Sequence, residues 1–136
     1  MNYLLDTNIC IYIIKKYPEK VLKKLETILS DNDKNIIYLS TVTISELYYG
    51  VEKSSRPEKN LDALKGFLTP FKIINFDQKS AIEYGKIRSD LEKKGVVIGP
   101  YDLQIAAVAK THDMTLVSNN TKEFKRVAAL NLENWV

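Results

Sequence analysis

The feature that most constrains the fold is an alternation. Short apolar runs, Tyr3-Leu4-Leu5, Ile36-Ile37-Tyr38-Leu39, Ile73-Ile74 and Thr115-Leu116-Val117, are separated by longer segments with helical spacing. Runs this short and this uniformly apolar suit strands buried on both faces, and the intervening helices supply the crossovers that parallel pairing needs. The chain therefore reads as an α/β protein: a three-layer α/β/α sandwich around a central, mainly parallel sheet. Its 136 residues suit one domain, 1–136, with no repeat, low-complexity segment or linker dividing it. A chain of that length buries about two-thirds of its unfolded surface.

Helical periodicity covers Thr7 to Lys16, with Ile9, Ile13 and Ile14 on one side. Pro18 suits the first turn of a second helix carrying Val21, Leu22, Leu25 and Leu29. Ser30-Asp31-Asn32-Asp33 reads as a loop. Further helices are expected from Thr43 to about Lys53, from Pro57 toward Leu68, and from an Asp77 cap to Gly95. Gly99-Pro100 precedes a helix over Tyr101 to His112, and Leu130-Asn131-Leu132 is a candidate last strand.

In open parallel sheets, ligands bind beyond the carboxyl ends of the strands. Asp6 directly follows the first strand, and Ser118, Asn119 and Asn120 directly follow Thr115–Val117. Glu46 falls in the first turn of the helix after the second strand, and Asp102 in the first turn after Gly99-Pro100. All can reach one sheet edge. Each also has a purely structural explanation. Asp6 can cap its helix. Thr43-Ile44-Ser45-Glu46 has the form of a capping box. Asp102 suits a positive helix end, and Asn120 can cap a turn at Thr121. Their shared placement argues against four coincidences, because carboxylates crowded at one edge repel unless something positive sits between them.

A hard divalent cation such as Mg²⁺ answers that need, taking one or two carboxylates, waters and substrate phosphates as ligands. Such an ion polarises a phosphoryl oxygen and orients an attacking water, so the chain needs no nucleophile of its own. Other chemistries find little support. His112 is the only histidine and falls near the end of its helix; Cys10 is the only cysteine and lies in an apolar stretch. That leaves no His-based site, zinc ligand set or intrachain disulfide, and there is no Gly-rich phosphate loop. A formal net charge of +3 permits an anionic partner without demanding one. Met1 leads straight into Tyr3-Leu4-Leu5-Asp6 without a basic leader, and no apolar run approaches the roughly 20 residues of a membrane helix. A cytoplasmic setting is the expectation.

Four segments carry a resemblance. Leu5-Asp6-Thr7-Asn8-Ile9, Thr43-Ile44-Ser45-Glu46-Leu47-Tyr48-Tyr49-Gly50, Ile98-Gly99-Pro100-Tyr101-Asp102-Leu103-Gln104-Ile105-Ala106-Ala107 and Leu116-Val117-Ser118-Asn119-Asn120-Thr121-Lys122-Glu123-Phe124 resemble, in order, the successive motifs of PIN-domain proteins. The likeness is strongest to the VapC toxins of bacterial toxin–antitoxin pairs and covers nearly the whole chain. It implies the three-layer fold, Mg²⁺- or Mn²⁺-dependent cleavage of RNA, commonly tRNA, a homodimer and a VapB-type antitoxin. Inhibition would come from a basic side chain, an arginine, placed among the acids.

By the same resemblance Asp6, Glu46 and Asp102 match the metal-binding acids, Thr7 and Asn8 match residues supporting the first acid, and Ser118 matches a hydroxyl near the metal. Many members carry a fourth acid where this chain has Asn120. Adding it back, Asn120→Asp, is expected to tighten metal binding about tenfold, or roughly 1–2 kcal/mol. Lys122, Lys125 and Arg126 are candidate phosphate contacts, with Lys86 and Arg88 behind them. Tyr101, beside Asp102, is the candidate for base stacking, whereas Tyr48 and Tyr49 suit the core or a subunit or antitoxin surface. Two rival functions remain open at this stage: a DNA or structure-specific metal nuclease, and a non-catalytic scaffold of the same fold.

Overall fold

The structure, a computed structural model, describes residues 1–31 and 33–136; Asn32, within the expected Ser30–Asp33 loop, lies outside the described residues. The strands are β1 (Asn2–Leu5), β2 (Ile36–Ser40), β3 (Lys72–Ile74), β4 (Thr115–Val117) and β5 (Leu132–Glu133). The helices are α1 (Thr7–Lys15), α2 (Glu19–Leu29), α3 (Thr41–Glu52), α4 (Pro57–Leu68), α5 (Gln78–Lys94), α6 (Pro100–Thr111) and α7 (Thr121–Phe124).

The strands form one sheet in the order β3-β2-β1-β4-β5, and every pairing is parallel. β1 lies at the centre. The chain winds outward from it through β2 and β3, then crosses to the other side for β4 and β5. Strand order therefore reverses between β1 and β4, where an open α/β sheet leaves a crevice.

Successive strand residues face opposite layers. Tyr3, Leu5, Ile37, Leu39 and Val117 join the core formed with α1, α2, α3 and α4. Leu4 and Leu116 point the other way, into the core with Ile87, Leu91, Leu103, Ala107 and Phe124 of α5, α6 and α7. Leu4, Leu5, Leu39, Leu116 and Val117 are wholly buried, as a two-faced sheet requires. No described helix is long and apolar enough to cross a membrane.

Several boundaries differ from the sequence expectation. Pro18 stands just before α2, in extended conformation at the N-cap. The last strand is Leu132–Glu133, which shares only Leu132 with the expected Leu130–Leu132 and pairs with Leu116 and Val117. The largest difference is α3, which starts at Thr41. Its N-cap is Ser40, whose hydroxyl accepts the Thr43 N–H at 3.1 Å. The Thr43–Glu46 capping box is therefore absent, and Glu46 lies in the second turn with its carboxylate free for other contacts.

Candidate active site

The site grows from the ends of the two central strands. At the end of β1 the Asp6 N–H donates to the Val117 carbonyl at 3.0 Å, and beyond β4 the Ser118 N–H donates to the Glu133 carbonyl at 3.0 Å. Sheet pairing thus fixes both backbones where strand order reverses. Asp6 is the N-cap of α1: its Oδ1 accepts the Ile9 N–H at 2.9 Å, and its Oδ2 accepts the Ser118 hydroxyl at 2.5 Å. The Ser118 hydroxyl oxygen in turn accepts the Asn120 N–H at 2.9 Å. A capping role and a site role thus coexist in Asp6, one oxygen for the helix and one for the serine.

Asp6 is only 3% exposed. Burial raises its pKa to about 6 against the help of Ser118 and the Ile9 amide, and the nearby Asp102 and Glu46 carboxylates push in the same direction. Asp102, in the first turn of α6, is also raised, first by burial and then by Glu123 and Glu46, with Asn120 opposing. Glu46 is held from α1: the Thr7 hydroxyl donates to its Oε1 at 2.8 Å, 3.3 Å from the Thr43 hydroxyl oxygen. Three acids from three separate elements therefore feel one another.

Asp6, Glu46 and Asp102 line a single open cleft of about 760 Å³, together with Thr7, Asn8, Tyr49, Lys53 and Tyr101. Ser118 and Asn120 stand behind this lining, one bonded to Asp6 and the other 3.5 Å from Asp102 Oδ2 through its Nδ2. Lys122, Lys125 and Arg126 are not among the cleft-lining residues, and Arg126 turns its guanidinium toward the Val97 carbonyl. Arg88 is occupied by Tyr84 and Glu92 on its own helix, and Lys86 borders a separate small hollow. Tyr48 and Tyr49 are both exposed rather than in the core, and Tyr49 opens onto the cleft.

Two charged residues at the site escaped the sequence reading. Lys53, a helical turn beyond Tyr49, lines the cleft with its ammonium 5.0 Å from the Tyr49 ring centre. Glu123 on α7 accepts the Asn120 Nδ2–H at 2.9 Å, so the Asn120 amide stands between the Glu123 and Asp102 carboxylates. The signal for Lys53 was its spacing of seven from Glu46, two turns along one helix face. The signal for Glu123 was its spacing of three from Asn120.

A PIN domain model matches residues 3–130, which include all of these acids. The chain belongs to the PIN domain family. Within it, the chain stands with the VapC ribonucleases. Ribonuclease VapC2 of Rickettsia felis is 46% identical over 135 residues, covering 99% of this chain and 98% of the relative. The tRNA(fMet)-specific endonuclease VapC of Salmonella typhimurium is 37% identical over 135 residues, with the same shares covered. The VapBC2 complex of Rickettsia felis, solved bound to a DNA fragment from its promoter, contains a chain that superposes with a TM-score of 0.93 at 45% identity, each chain covered in full. The expected α/β fold, and the place of the chain among VapC endoribonuclease toxins, are thereby established.

Proposed function

We propose that this PIN-domain chain cuts tRNA with the help of a divalent cation held at Asp6, Glu46 and Asp102, works as a homodimer in the cytoplasm, and is silenced by a VapB-type antitoxin. The observation that carries this is the convergence of three carboxylates, from the end of β1, from α3 and from α6, on one cleft. Support for tRNA comes from the Salmonella relative, whose name specifies tRNA(fMet) and whose likeness runs the length of the chain.

The donor set suits the cation. It is all oxygen, as Mg²⁺ or Mn²⁺ prefers, and its central member is a buried carboxylate whose charge is poorly compensated. Among the described residues no three or more Asp, Glu, His or Cys side chains stand close enough together to hold a metal ion on their own, so the ion would need water and substrate oxygens as further ligands. Mg²⁺ dehydrates reluctantly and takes few protein ligands alongside waters and substrate phosphates. Bound there, such an ion supplies Lewis acidity at the scissile phosphate and an oriented water. The chain supplies position. Ser118 and the Ile9 amide fix the Asp6 carboxylate; Thr7 fixes Glu46; Asn120, with Ser118 behind it, steadies Asp102.

Purified protein incubated with tRNA is expected to cut it in Mg²⁺ or Mn²⁺ and not in EDTA, and Asp6→Ala is expected to abolish cutting while remaining folded. DNA added as competitor should leave the rate nearly unchanged. Undiminished cleavage in EDTA, or full activity of Asp6→Ala, would overturn the reading.

A further inference from the structure

One face of α3 carries more than Glu46. Tyr49 and Gly50 follow Glu46 by three and four residues and Lys53 follows them by four and three, so the four share a stripe, and all line the cleft. Three observations on this stripe lack a packing explanation. Tyr49 is 65% exposed, although a ring of that size normally buries most of its surface. Gly50 lies in the last turn of α3 without the positive φ of a glycine cap, and a Cβ built there meets nothing within 4 Å, so neither the backbone nor a neighbour requires its absence. Lys53 is the only cation among the described residues lining the cleft, and it sits over the Tyr49 ring instead of pairing with an acid.

We infer that this outer half of α3 seats one unpaired ribonucleotide beside the scissile phosphodiester: its base stacks on Tyr49, its phosphate meets Lys53, and its sugar passes over the bare backbone at Gly50. The inference rests on the ribonuclease reading above and adds the residues that would hold the nucleotide. A ring with one face near an ammonium keeps the other for a base, and the cation strengthens the stack. Stacking of this kind needs a base free of its helix, so the seat prefers single-stranded or loop RNA over duplex. The position of Lys53 fits as well. The floor at Asp6, Glu46 and Asp102 repels phosphate unless a cation is bound, and Lys53 offers the flanking phosphate a positive site two turns of α3 away from Glu46. Tyr101, 58% exposed on α6, borders the same cleft and provides a second ring for the neighbouring base.

The test measures binding separately from cutting. Fluorescence anisotropy follows a labelled unpaired hexaribonucleotide and a labelled RNA duplex titrated with the Asp6→Ala protein, which does not consume the probe. In that background Tyr49→Ala is expected to weaken binding of the unpaired probe about tenfold and Tyr49→Phe to restore it, since the ring and not the hydroxyl stacks. Lys53→Gln should weaken binding and lower the salt dependence by roughly one phosphate contact, a slope change of about 0.7. Gly50→Leu should block the probe, whereas Gly50→Ala should bind nearly normally and melt higher; circular dichroism checks that all remain helical. Tyr17→Ala, altering an exposed ring away from the cleft, should bind as the parent does. Equal losses for duplex and unpaired RNA, or full binding by both Tyr49→Ala and Lys53→Gln, would overturn the inference while leaving the nuclease intact. If those variants bind RNA normally but no longer dimerise or hold an antitoxin, the stripe is a protein-binding surface and the inference again fails. A parent protein that neither binds nor, with Asp6 restored, cuts RNA overturns the ribonuclease reading itself.

Discussion

Asp6 concentrates the conflict on which the site depends. Its carboxylate is buried, caps α1, and stands near two other acids, so in the cation-free protein its charge opposes folding. The sign follows from its pKa, raised from 3.8 to about 6. The folded chain binds the proton more tightly than the unfolded one, so stability falls as pH rises from about 4 to about 6 and stays low above it. At about 1.4 kcal/mol per unit the cost at neutral pH is roughly 3 kcal/mol. Asp6→Asn keeps a capping oxygen for Ile9 and removes the charge. It should therefore raise the melting temperature in EDTA at pH 7.5 by roughly 5–10 °C, lose that advantage below about pH 4, and no longer be stabilised by added Mg²⁺. Calorimetric melts across that pH range check it; no difference at pH 7.5 would remove Asp6 from the centre of the charge conflict. Asn120 poses the complementary case. Its Nδ2 donates to Glu123 and approaches Asp102, so Asn120→Asp replaces a bridging donor with a third negative group. The roughly tenfold tighter cation binding that the sequence suggests is then coupled to a cation-free protein weakened by about 1–3 kcal/mol. Urea unfolding in EDTA should show a larger deficit relative to the parent at pH 8 than at pH 5, and equal deficits would mean that the amide does not bridge the pair.

Element boundaries decide which polar side chains are left over for function, and α3 shows this most clearly. Placing the helix start at Thr43 makes Glu46 a capping residue. With Ser40 as the true cap, Glu46 moves to the second turn and is available to Thr7 and the cleft. Ser40 is wholly buried and its hydroxyl also lies 3.5 Å from that of Thr43, whose oxygen sits beside Thr7. Ser40→Ala should thus cost about 1–2 kcal/mol and also lower cleavage, because the turn carrying Glu46 loses its anchor. Thermal melts paired with initial rates on tRNA check both effects; a destabilised but fully active variant would separate the cap from the site. The same element shows what a sequence makes legible. Strands buried on both faces announce themselves by unbroken apolar runs, and Asp77 and Gly95 mark α5 because cap chemistry is local. The acids could be placed since each sits at a strand end or near a helix start, positions that parallel topology sends to one edge. Serine followed by Thr-Val-Thr gives two caps of similar quality, and the choice between them depends on tertiary contacts with α1. β5 was displaced for a related reason: pairing with β4, and not the local apolar run, selects Leu132–Glu133. Lys53 and Glu123 were missed because ordinary surface charges look identical in one dimension, and only the folded cleft distinguishes Lys53 from Lys122.

At the scale of the whole molecule, charge is unevenly distributed. The chain carries a net +3, yet Asp6, Glu46 and Asp102 make one cleft negative. On the proposed reading, a positive molecule attracts RNA while three carboxylates in the cleft repel its phosphate, and a bound cation would relieve that repulsion. The same inversion prescribes an inhibitor. An arginine presented by a VapB-type partner can fill the cleft, since its planar guanidinium grips carboxylates in paired bonds and replaces the charge of the ion. If inhibition works in this way, cation and antitoxin would compete for one place, whereas an antitoxin bound elsewhere would be indifferent to Mg²⁺. Glu46→Gln and Asp102→Asn should each weaken the complex by thirtyfold or more, because neutralising one partner of a desolvated pair costs about 2–5 kcal/mol. Raising Mg²⁺ should weaken binding of the parent chain and affect the two variants much less. Calorimetric titration of antitoxin into parent and variants, at low and high Mg²⁺ with ionic strength held constant, reads both effects together. Unchanged affinity in both variants, together with indifference to Mg²⁺, would place the inhibitor's contacts outside the cleft; retained competition with unchanged affinity would leave Asp6 as the sole anchor.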